Sequence, residues 1–331
     1  MKLIVTIPAL NEEETLAEVI REIPRHIAGV HRVEVLVLDD GSTDGTVAAA
    51  YEAGADYVIS NGINRGLAYT FKRCLEEAIA RGADVIVNTD ADNHYDQSRI
   101  PDLIAPVLHG QADIVVGSRV LDKLQMRWTN KQGNRVANLI MQRLLRIPGI
   151  DVSSGFRAYS RVAALSLNVL SPHTYTHETL FAATDRRLKV LSLPIEARYV
   201  ERPSRLISSL PAHIWRAGNA ILQSILRYRP LQAYATLGFA LAIAGVVPFA
   251  RYLYFVAEDD GAGHLQSLIG GAALLFLGVQ LIVVGLLARA IAWNRQLLED
   301  VLYKLKDGKL QHEEATAAHA PEPENGRYKV A

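Results

Sequence analysis

The residues best suited to chemistry in this 331-residue sequence are two aspartates and a histidine that follow a short apolar run. Residues 85–87, Val-Ile-Val, are typical of a strand buried on both faces, and Asp90, Asp92 and His94 come directly after it. Carboxylates one residue apart can share a divalent cation with phosphate oxygens, and an imidazole ligand suits Mn²⁺ better than Mg²⁺. The motif therefore predicts a Mg²⁺ or Mn²⁺ site at Asp90, Asp92 and His94; the alternative is a solvated turn.

The chain around this motif alternates strands with helices, which predicts an α/β fold with a mostly parallel, Rossmann-like sheet. Strands are expected over residues 2–7, 33–38, 57–60, 85–87, 114–119 and 189–193, and helices over 11–25 and 67–81. The carboxyl ends of parallel strands border the ligand crevice of such a sheet, so Asp90 and Asp92 should project into it. Neither a Walker A loop nor a dinucleotide-binding glycine motif occurs in the sequence.

Basic residues follow the strand that ends at Arg119. The stretch 123–146 has helical spacing and includes Arg127, Lys131 and Arg135 among apolar residues. A solvated surface helix and a basic amphipathic helix on a membrane both fit this pattern, and the sequence leaves the two open. Residues 207–230 form a second amphipathic segment, which we expect to lie at a membrane interface.

Overall composition limits the function classes. Lys+Arg and Asp+Glu are equal at 35 each, so no basic field indicates a nucleic-acid partner. The single cysteine excludes an intramolecular disulfide. Residues 231–250 and 265–288 are each long and apolar enough to cross a bilayer, although a buried helical hairpin is the alternative. We therefore expect a catalytic domain over 1–206, the amphipathic helix 207–230, two transmembrane helices within 231–293 and a tail over 294–331 that is disordered from Gln311.

The charges that flank the two apolar segments predict their orientation. Arg227 and Arg229 precede the first segment, and Arg295, Lys304 and Lys306 follow the second. The loop between the segments carries acidic residues at 258–260 and no Lys or Arg. The positive-inside rule then places both termini and the catalytic domain in the cytoplasm, as in a multi-pass protein of the cell (inner) membrane.

The order of several motifs carries a resemblance to a known family. The motifs are IPALNEEETL, VLDDGSTDGT, NRGLA, TDADNH, VGSR, DVSSGFRAYSR, THETL and ERPSRL. Together they cover about the first 206 residues and resemble the family 2 glycosyltransferases of GT-A fold. Within that family the chain is similar to the polyprenyl-phosphate glycosyltransferases such as dolichol-phosphate mannose synthase. The resemblance implies transfer of a sugar from a UDP- or GDP-sugar to undecaprenyl or dolichyl phosphate.

The resemblance also implies roles for residues on the donor side. Residues matching the family's nucleotide-sugar site are Pro8, Asn11, Glu12, Asp39 and Asp90. Asp90 and Asp92 match its metal-binding pair, and His94 stands where relatives often have a Gln ligand. Arg202 and Arg205 would stabilise the departing nucleoside diphosphate. Ala9-Leu10 replaces the Thr-Tyr common in relatives, which leaves the identity of the base open.

On the acceptor side, Arg119 is the expected ligand of the lipid phosphate, because a guanidinium group can bind phosphate through two parallel hydrogen bonds. Arg127, Lys131 and Arg135 are further candidates. Glu178 stands where relatives carry an acidic residue near the acceptor, and its alternative role is a helix N-terminal carboxylate. The expected partners are thus the nucleotide-sugar, the polyprenyl phosphate and the lipid bilayer, and a homo-oligomer stays open.

Three other functions compete with this interpretation. A processive polysaccharide synthase would share the catalytic domain, but Gln223 and Arg227 lack the spacing of the synthase Gln-Xaa-Xaa-Arg-Trp motif. A glycosyltransferase acting on a lipid or protein hydroxyl would require Glu178 as a base. A non-catalytic membrane scaffold that binds nucleotide-sugar is the third alternative, and the intact Asp90, Asp92 and Arg119 disfavour it.

Overall fold

A computed structural model describes most of the chain. It covers residues 1–119, 138–139, 141–169, 175–198, 218–219, 222–223, 225–258 and 261–318, with 261–262 and 309–318 described by backbone only. Several candidate site residues lie outside the described residues: Arg127, Lys131, Arg135, Arg202 and Arg205. Most of the segment 207–230 lies outside them as well.

Strands and helices alternate through the first two hundred residues. The strands are β1 Lys2–Ala9, β2 Arg32–Asp39, β3 Tyr57–Ser60, β4 Val85–Asn88, β5 Ile114–Arg119, β6 Arg157–Ser160 and β7 Val190–Ile195. The helices are α1 Leu16–Glu22, α2 Thr46–Glu52, α3 Leu67–Ala80, α4 Ile100–Leu108, α5 Arg161–Ser166, α6 Tyr175–Asp185, α7 Pro230–Ala257 and α8 Leu265–Ala318.

The described strands form one sheet in the order β3-β2-β1-β4-β6-β5-β7. Strand β6 runs antiparallel to both of its neighbours, and the other strands are parallel to each other. The predicted mostly parallel α/β sheet is therefore confirmed. Because β6 runs in reverse, its first residue, Arg157, pairs with Asn88 at the carboxyl end of β4. The loop that precedes β6 consequently lies at the edge of the sheet where β1, β2, β4 and β5 end.

The sheet is buried on both faces between two apolar clusters. Leu3, Val5 and Ile7 of β1 pack into a cluster with α1 and α4, whereas Ile4 packs on the opposite face with α3, α5 and α6. Successive residues of a strand point to opposite faces, so a strand between two helical layers needs apolar residues at nearly every position. This explains the continuous apolar runs in the sequence.

Helix α1 begins later and ends earlier than predicted. It spans Leu16–Glu22 rather than 11–25. Asn11 adopts the left-handed conformation (φ 55°), its backbone N–H donates to Ser42 Oγ (2.9 Å) and its Oδ1 accepts from the Thr43 N–H (2.8 Å). These bonds to the loop after β2 replace the helical hydrogen bonds that the acidic run would otherwise make.

Helices α7 and α8 form an antiparallel hairpin whose contact surface is built on glycines. A Cβ at Gly238 would lie 2.6 Å from the Gly278 carbonyl oxygen, and one at Gly271 would lie 2.9 Å from that of Gly245. Small residues at such positions let two helix backbones approach closely, as in membrane helix pairs. Only 11% and 17% of the most apolar windows of α7 and α8 are buried, which argues against a core hairpin of a soluble protein.

Helix α8 continues well beyond its apolar part. It has 54 residues, which at 1.5 Å per residue is about 80 Å. Past the apolar part, Gln296 Nε2 donates to Asp185 Oδ2 of α6 (2.6 Å), and Glu299 pairs with Arg186 (3.1 Å). Residues 311–318, at the start of the segment expected to be disordered, continue the helix, and residues 319–331 lie outside the described part.

Two adjacent glycines of α8 test the close approach of the hairpin helices. Gly271→Ala should destabilise the protein by about 1–3 kcal/mol, because the new Cβ would lie 2.8 Å from the Phe249 backbone nitrogen. Gly270 has nothing within 4 Å of its Cβ position, so Gly270→Ala is a matched control with the same gain in helix propensity. Thermal unfolding in detergent measures both, and equal melting temperatures would contradict the packing.

Candidate active site

The acidic motif follows β4, and hydrogen bonds fix where it begins. Asn88, the last residue of β4, is fully buried and donates from Nδ2 to the Gly155 carbonyl (2.9 Å) and to the Tyr175 hydroxyl (3.2 Å). Further along, the buried Ala91 accepts a hydrogen bond at its carbonyl from Thr15 Oγ1 (2.8 Å). The chain is thus anchored on both sides of Asp90, which limits where its carboxylate can lie.

Asp90 packs directly against the backbone of the loop before β6. A Cβ at Gly155 would lie 2.5 Å from Asp90 Oδ1 and 2.7 Å from Oδ2, so only glycine fits there. No donor in the described part of the chain makes a hydrogen bond to this carboxylate. Burial and the neighbouring Asp92 raise the pKa of Asp90 to about 7. Two carboxylates that resist ionisation together are suited to a divalent cation, which compensates both charges.

His94 is held by Asp92. Its Nδ1 lies 2.8 Å from Asp92 Oδ2, and hydrogen bonding to Asp92 raises the pKa of His94, although burial opposes this. Burial raises the pKa of Asp92, but the hydrogen bond and charge of His94 outweigh it and the pKa is lowered. Within the described ranges, no three His, Cys, Asp or Glu side chains are arranged to hold a metal ion. Asp90 and Asp92 fit such an ion by donor type, and the ligand role of His94 stays a prediction.

Arg198 braces the turn that carries His94. Its backbone N–H donates to the His94 carbonyl (2.9 Å), and its Nη1 donates to Asn93 Oδ1 (2.9 Å) and to Glu22 Oε2 of α1 (2.8 Å). Asn93 has a left-handed φ of 57°, a conformation that asparagine tolerates better than most residues. The turn is therefore fixed between α1 and the segment after β7. No sequence pattern indicated this contact, because its partners are far apart in the chain.

The buried Asp39 lies at the end of β2, where the nucleotide is expected. Its carboxylate accepts from Ser60 Oγ (2.6 Å) and from the Ser42 N–H (2.9 Å). Burial raises the pKa of Asp39, but these hydrogen bonds outweigh it, so the pKa is lowered and the group is ionised at neutral pH. A charged acceptor at this edge of the sheet suits a base N–H.

Asp40 has a structural role that the sequence did not reveal. Its carboxylate accepts from the N–H groups of Arg65 and Gly66 (both 2.9 Å) and from Asn61 Nδ2 (2.8 Å), and so fastens the loop before α3 to β2. Gly41 makes this close approach possible: its φ is +81°, and a Cβ would lie 2.6 Å from the Ile63 carbonyl carbon.

The other donor-side residues lie beside Asp39. Pro8 is in β1 opposite Leu38, and the Asp40 N–H donates to the Ala9 carbonyl (2.8 Å). The backbone N–H of Glu12 donates to Thr46 Oγ1 (2.8 Å), which brings the loops after β1 and β2 together as Asn11 does. The structure therefore groups the predicted nucleotide residues of β1 and β2, and their role in binding stays a prediction.

Arg119 ends β5 and is held by two residues of the loop before β6. Its Nε donates to Asp151 Oδ2 (2.6 Å), and its Nη2 donates to Ser153 Oγ (2.6 Å). Burial would lower the pKa of Arg119, but the neighbouring Tyr95 and Asp151 raise it, so the side chain is always charged. Sequence analysis missed Asp151 and Ser153, although both lie in the motif DVSSGFRAYSR.

The residues before Arg119 explain the rest of its motif. A Cβ at Gly117 would lie 2.9 Å from the Phe156 ring and 3.1 Å from the Phe156 carbonyl oxygen, so glycine lets β5 and the loop before β6 meet. Ser118 Oγ accepts the Asp151 N–H at 2.9 Å. In the Gly-Ser-Arg motif, Gly117 thus allows the close contact, Ser118 holds the loop by a hydrogen bond, and Arg119 supplies a partly buried cation.

Among the described residues Arg157 is the largest fully buried polar side chain, and the sequence did not single it out. Its guanidinium donates to the carbonyls of Ser154 (2.8 Å), Val152 (3.0 Å) and Thr176 (2.8 Å). These bonds join the loop before β6 to the start of α6. Burial and the nearby Arg157 lower the pKa of His177 to about 4, so that imidazole is neutral at physiological pH.

Glu178 lies where α6 meets the helical hairpin. Its Oε1 accepts from Arg227 Nη1 (2.5 Å) and from the Tyr228 hydroxyl (3.5 Å), and the carboxylate is almost fully buried. The Tyr228 ring stacks on Phe181 of α6, with the centroids 5.6 Å apart. The guanidinium carbon of Arg295 in α8 lies over the Tyr228 ring, 4.4 Å from its centroid. In this structure Glu178 is an ion-pair residue at the base of the hairpin, and its catalytic role stays a prediction.

Comparisons with known proteins bear on the family of the domain that carries this site. The family model described as glycosyl transferase family 2 matches residues 4–166. The chain carries a glycosyl transferase family 2 domain. It is 28% identical over 294 residues to Glycosyltransferase AglJ of Haloferax volcanii, covering 86% of this chain and 91% of that protein. It is 29% identical over 204 residues to the polyprenol monophosphomannose synthase of Mycolicibacterium smegmatis, covering 58% of this chain and 76% of that protein.

The fold of this family 2 glycosyltransferase also has solved counterparts. A crystal structure of glucosyl-3-phosphoglycerate synthase from Mycobacterium tuberculosis, in complex with Mn²⁺, UDP and its product, is similar with a TM-score of 0.52. The identity is 24%, and the match covers 66% of this chain and 79% of that one. The expected GT-A fold is thereby confirmed.

Gly155 offers a test of the acidic site of the glycosyltransferase. Gly155→Ala should lower turnover about a hundredfold, because its Cβ would overlap the Asp90 carboxylate and displace it from the donor side. Gly308→Ala, at a position with nothing within 4 Å, is the control. Turnover and Mn²⁺ affinity by calorimetry measure the effect, with thermal unfolding to exclude loss of fold. Wild-type Mn²⁺ affinity and turnover in Gly155→Ala would contradict the packing.

Proposed function

We propose that this glycosyltransferase transfers a sugar from a UDP- or GDP-sugar to a polyprenyl monophosphate, such as undecaprenyl or dolichyl phosphate, at the cytoplasmic face of a membrane. The observation that carries the proposal is the combination of the acidic pair Asp90 and Asp92, the partly buried cation Arg119 and two attached helices of membrane-spanning length. The name of the mycobacterial relative, a polyprenol monophosphomannose synthase, supports the same acceptor class.

Asp90 and Asp92 are the residues that would hold a divalent cation, in keeping with the Mn²⁺ in the structural relative. When bound, Mg²⁺ or Mn²⁺ would compensate the charge of the donor diphosphate. Asp39 would accept a hydrogen bond from the base, while Asn11, Glu12 and Pro8 shape the pocket around the nucleoside. In this proposal Arg202 and Arg205 assist the departing diphosphate.

The acceptor needs positioning rather than a strong base. A phosphate monoester has a second pKa of about 6, so at pH 7 its oxygen is largely ionised and already nucleophilic. Arg119 would bind this phosphate, with Arg127, Lys131 and Arg135 as further candidates. The phosphate oxygen forms a bond to the anomeric carbon as the bond to the donor diphosphate breaks, and the electron pair leaves with the nucleoside diphosphate. Attack from the opposite side inverts the configuration.

A polyprenyl acceptor requires an enzyme at the bilayer surface. In this proposal α7 and the apolar part of α8 cross the membrane, and the catalytic domain over residues 1–206 and both termini are cytoplasmic. The mean hydropathy of the two spans, 1.8 and 2.4, and their low burial support insertion in lipid. Arg227 and Arg295, at the base of the hairpin, supply the positive charge expected on the cytoplasmic side.

A panel assay tests the activity directly. Purified protein is incubated with UDP- and GDP-sugars, Mg²⁺ or Mn²⁺, and either undecaprenyl phosphate or dolichyl phosphate. Undecaprenol, which has the same chain without the phosphate, is the matched control acceptor. Transfer to the phosphates alone supports the proposal, whereas transfer to undecaprenol would favour the hydroxyl-acceptor alternative. Nucleotide-sugar binding without transfer to any acceptor would indicate a scaffold.

Activity should depend on a divalent cation held by the acidic pair. Chelation with EDTA should abolish transfer, and Mg²⁺ or Mn²⁺ should restore it. Asp92→Asn should lower turnover at least about a hundredfold, the scale of one lost electrostatic contact in a transition state. Asp102→Asn, which removes an exposed carboxylate paired with Arg99, is the control. Near-normal turnover of Asp92→Asn at saturating metal would overturn the assignment.

Cysteine labelling tests the orientation of the hairpin. Cys74 is buried, and Cys74→Ser gives a background without thiols. In that background Gly261→Cys, in the loop between the spans, should react with an impermeant maleimide in intact cells. Gly308→Cys, on the cytoplasmic extension of α8, should react only after permeabilisation. The reverse pattern would show the opposite topology, and equal labelling of both positions in intact cells would show that the hairpin does not span.

A further inference from the structure

We propose that Asp151 and Ser153 are positioning residues that aim one edge of the Arg119 guanidinium at the acceptor phosphate. The inference rests on the proposed function, in which Arg119 binds that phosphate. Asp151 and Ser153 would act only through Arg119 and would touch neither donor nor acceptor. The proposal therefore concerns the orientation of a binding group.

Within the described part of the chain, the hydrogen bonds of Arg119 use one edge of its guanidinium. Nε and one N–H of Nη2 form the side edge, which donates to Asp151 Oδ2 and Ser153 Oγ at 2.6 Å each. The end edge consists of Nη1 and the second N–H of Nη2. Nη1 makes no hydrogen bond to the described residues. Two parallel donors on this end edge match two oxygens of a phosphate.

The two acceptors that hold the side edge, Ser153 and Asp151, are hydrogen-bonded to each other. Its hydroxyl donates to Asp151 Oδ1 (2.7 Å) while its oxygen accepts from Arg119 Nη2, so its single proton is already used. The Ser153 N–H also donates to Asp151 Oδ1, at 3.1 Å. The two residues thus present one fixed acceptor surface, which sets the plane of the guanidinium.

The support for Asp151 extends through β5 to β7. The Asp151 N–H donates to Ser118 Oγ (2.9 Å), which lies 2.7 Å from Ser192 Oγ. Ser192 in turn donates to the Gly149 carbonyl (2.9 Å), so the Ser118 proton points to Ser192. The hydroxyls of Ser118 and Ser192 thus link the backbone of Asp151 to that of Gly149 in the same loop, which restrains the Asp151 backbone. The loop is therefore fixed relative to the strand that carries Arg119.

Burial imposes a desolvation cost on this ion pair. Asp151 is 2% exposed, and the Arg119 side chain is 15% exposed. Replacing such a pair by apolar groups is often neutral or stabilising, so a buried pair is weak evidence for a stabilising role. A guanidinium whose side edge is held by hydrogen bonds, and whose Nη1 makes none to the described residues, is by contrast the arrangement expected for a preoriented anion ligand.

The test measures whether Asp151→Asn weakens use of the lipid phosphate without weakening binding of the nucleotide. In the lipid-phosphate transfer assay, Asp151→Asn should raise the apparent KM for undecaprenyl phosphate, and lower kcat/KM, by about tenfold to a hundredfold, the range for partners that orient a binding group. Calorimetric affinity for UDP and GDP with Mn²⁺ should stay within about twofold, since donor contacts are untouched. Asp56→Asn, which weakens a more exposed carboxylate–arginine pair with Arg25 at the other end of the sheet, is the control.

A double-mutant cycle separates positioning from an independent role. If Asp151 acts through Arg119, Asp151→Asn should have little further effect on kcat/KM for undecaprenyl phosphate in an Arg119→Ala background. An effect as large as in the wild-type background would overturn the proposal. Ser153→Ala, which removes one acceptor and no charge, should give a smaller loss of the same kind. It also keeps the test informative if Asp151→Asn fails to fold.

The outcomes also distinguish this inference from the proposed function. If Arg119→Ala raises the KM for undecaprenyl phosphate while Asp151→Asn and Ser153→Ala do not, Arg119 binds the acceptor and the positioning inference is wrong. If Arg119→Ala weakens UDP or GDP binding as much as it weakens transfer, the acceptor role of Arg119 itself is wrong. If the panel assay detects no transfer to any polyprenyl phosphate, the proposed function is wrong.

Discussion

The antiparallel strand β6, inserted between β4 and β5, is the constraint on which the site depends. Strand spacing of about 4.8 Å places β4 and β5 roughly 10 Å apart, so the acidic pair and Arg119 end on either side of a gap. Because β6 runs in reverse, the loop before it lies over that gap. The same loop packs Gly155 on Asp90 and delivers Asp151 to Arg119. One strand direction thus sets both halves of the site.

Charge compensation distinguishes the site from the rest of the interior. Glu34 is buried beside Lys2 and Arg32, Glu178 beside Arg227, and Arg157 is covered by backbone carbonyls. Asp90 receives no hydrogen bond from the described residues, and Asp92 beside it adds charge of the same sign. Carboxylates of this kind are frequent at binding sites, where a bound cation can supply positive charge. These two carboxylates, Asp90 and Asp92, lie at the carboxyl edge of the sheet.

Local patterns made part of this structure predictable. Continuous apolar runs identified β1, β2 and β4, and the aspartates after β4 were visible because strand ends carry the chemistry of an α/β sheet. The clamp of Asp151 on Arg119 and the contact of Gly155 with Asp90 were not predictable, since each joins residues at least thirty positions apart and leaves no local period. The start of α1 was wrong for the same reason: the bonds that hold Asn11 come from the loop after β2.

Helix α6 links the site to the hairpin. On one face Arg157 binds its first turn to the loop that carries Asp151, and on the other Glu178, Asp185 and Arg186 bind residues next to α7 and within α8. The distance from Arg119 to the base of the hairpin is therefore fixed by packed and hydrogen-bonded elements. A lipid acceptor holds its phosphate at one depth, the bilayer surface. In the proposed function, a rigid connection of this kind would keep Arg119 at that depth.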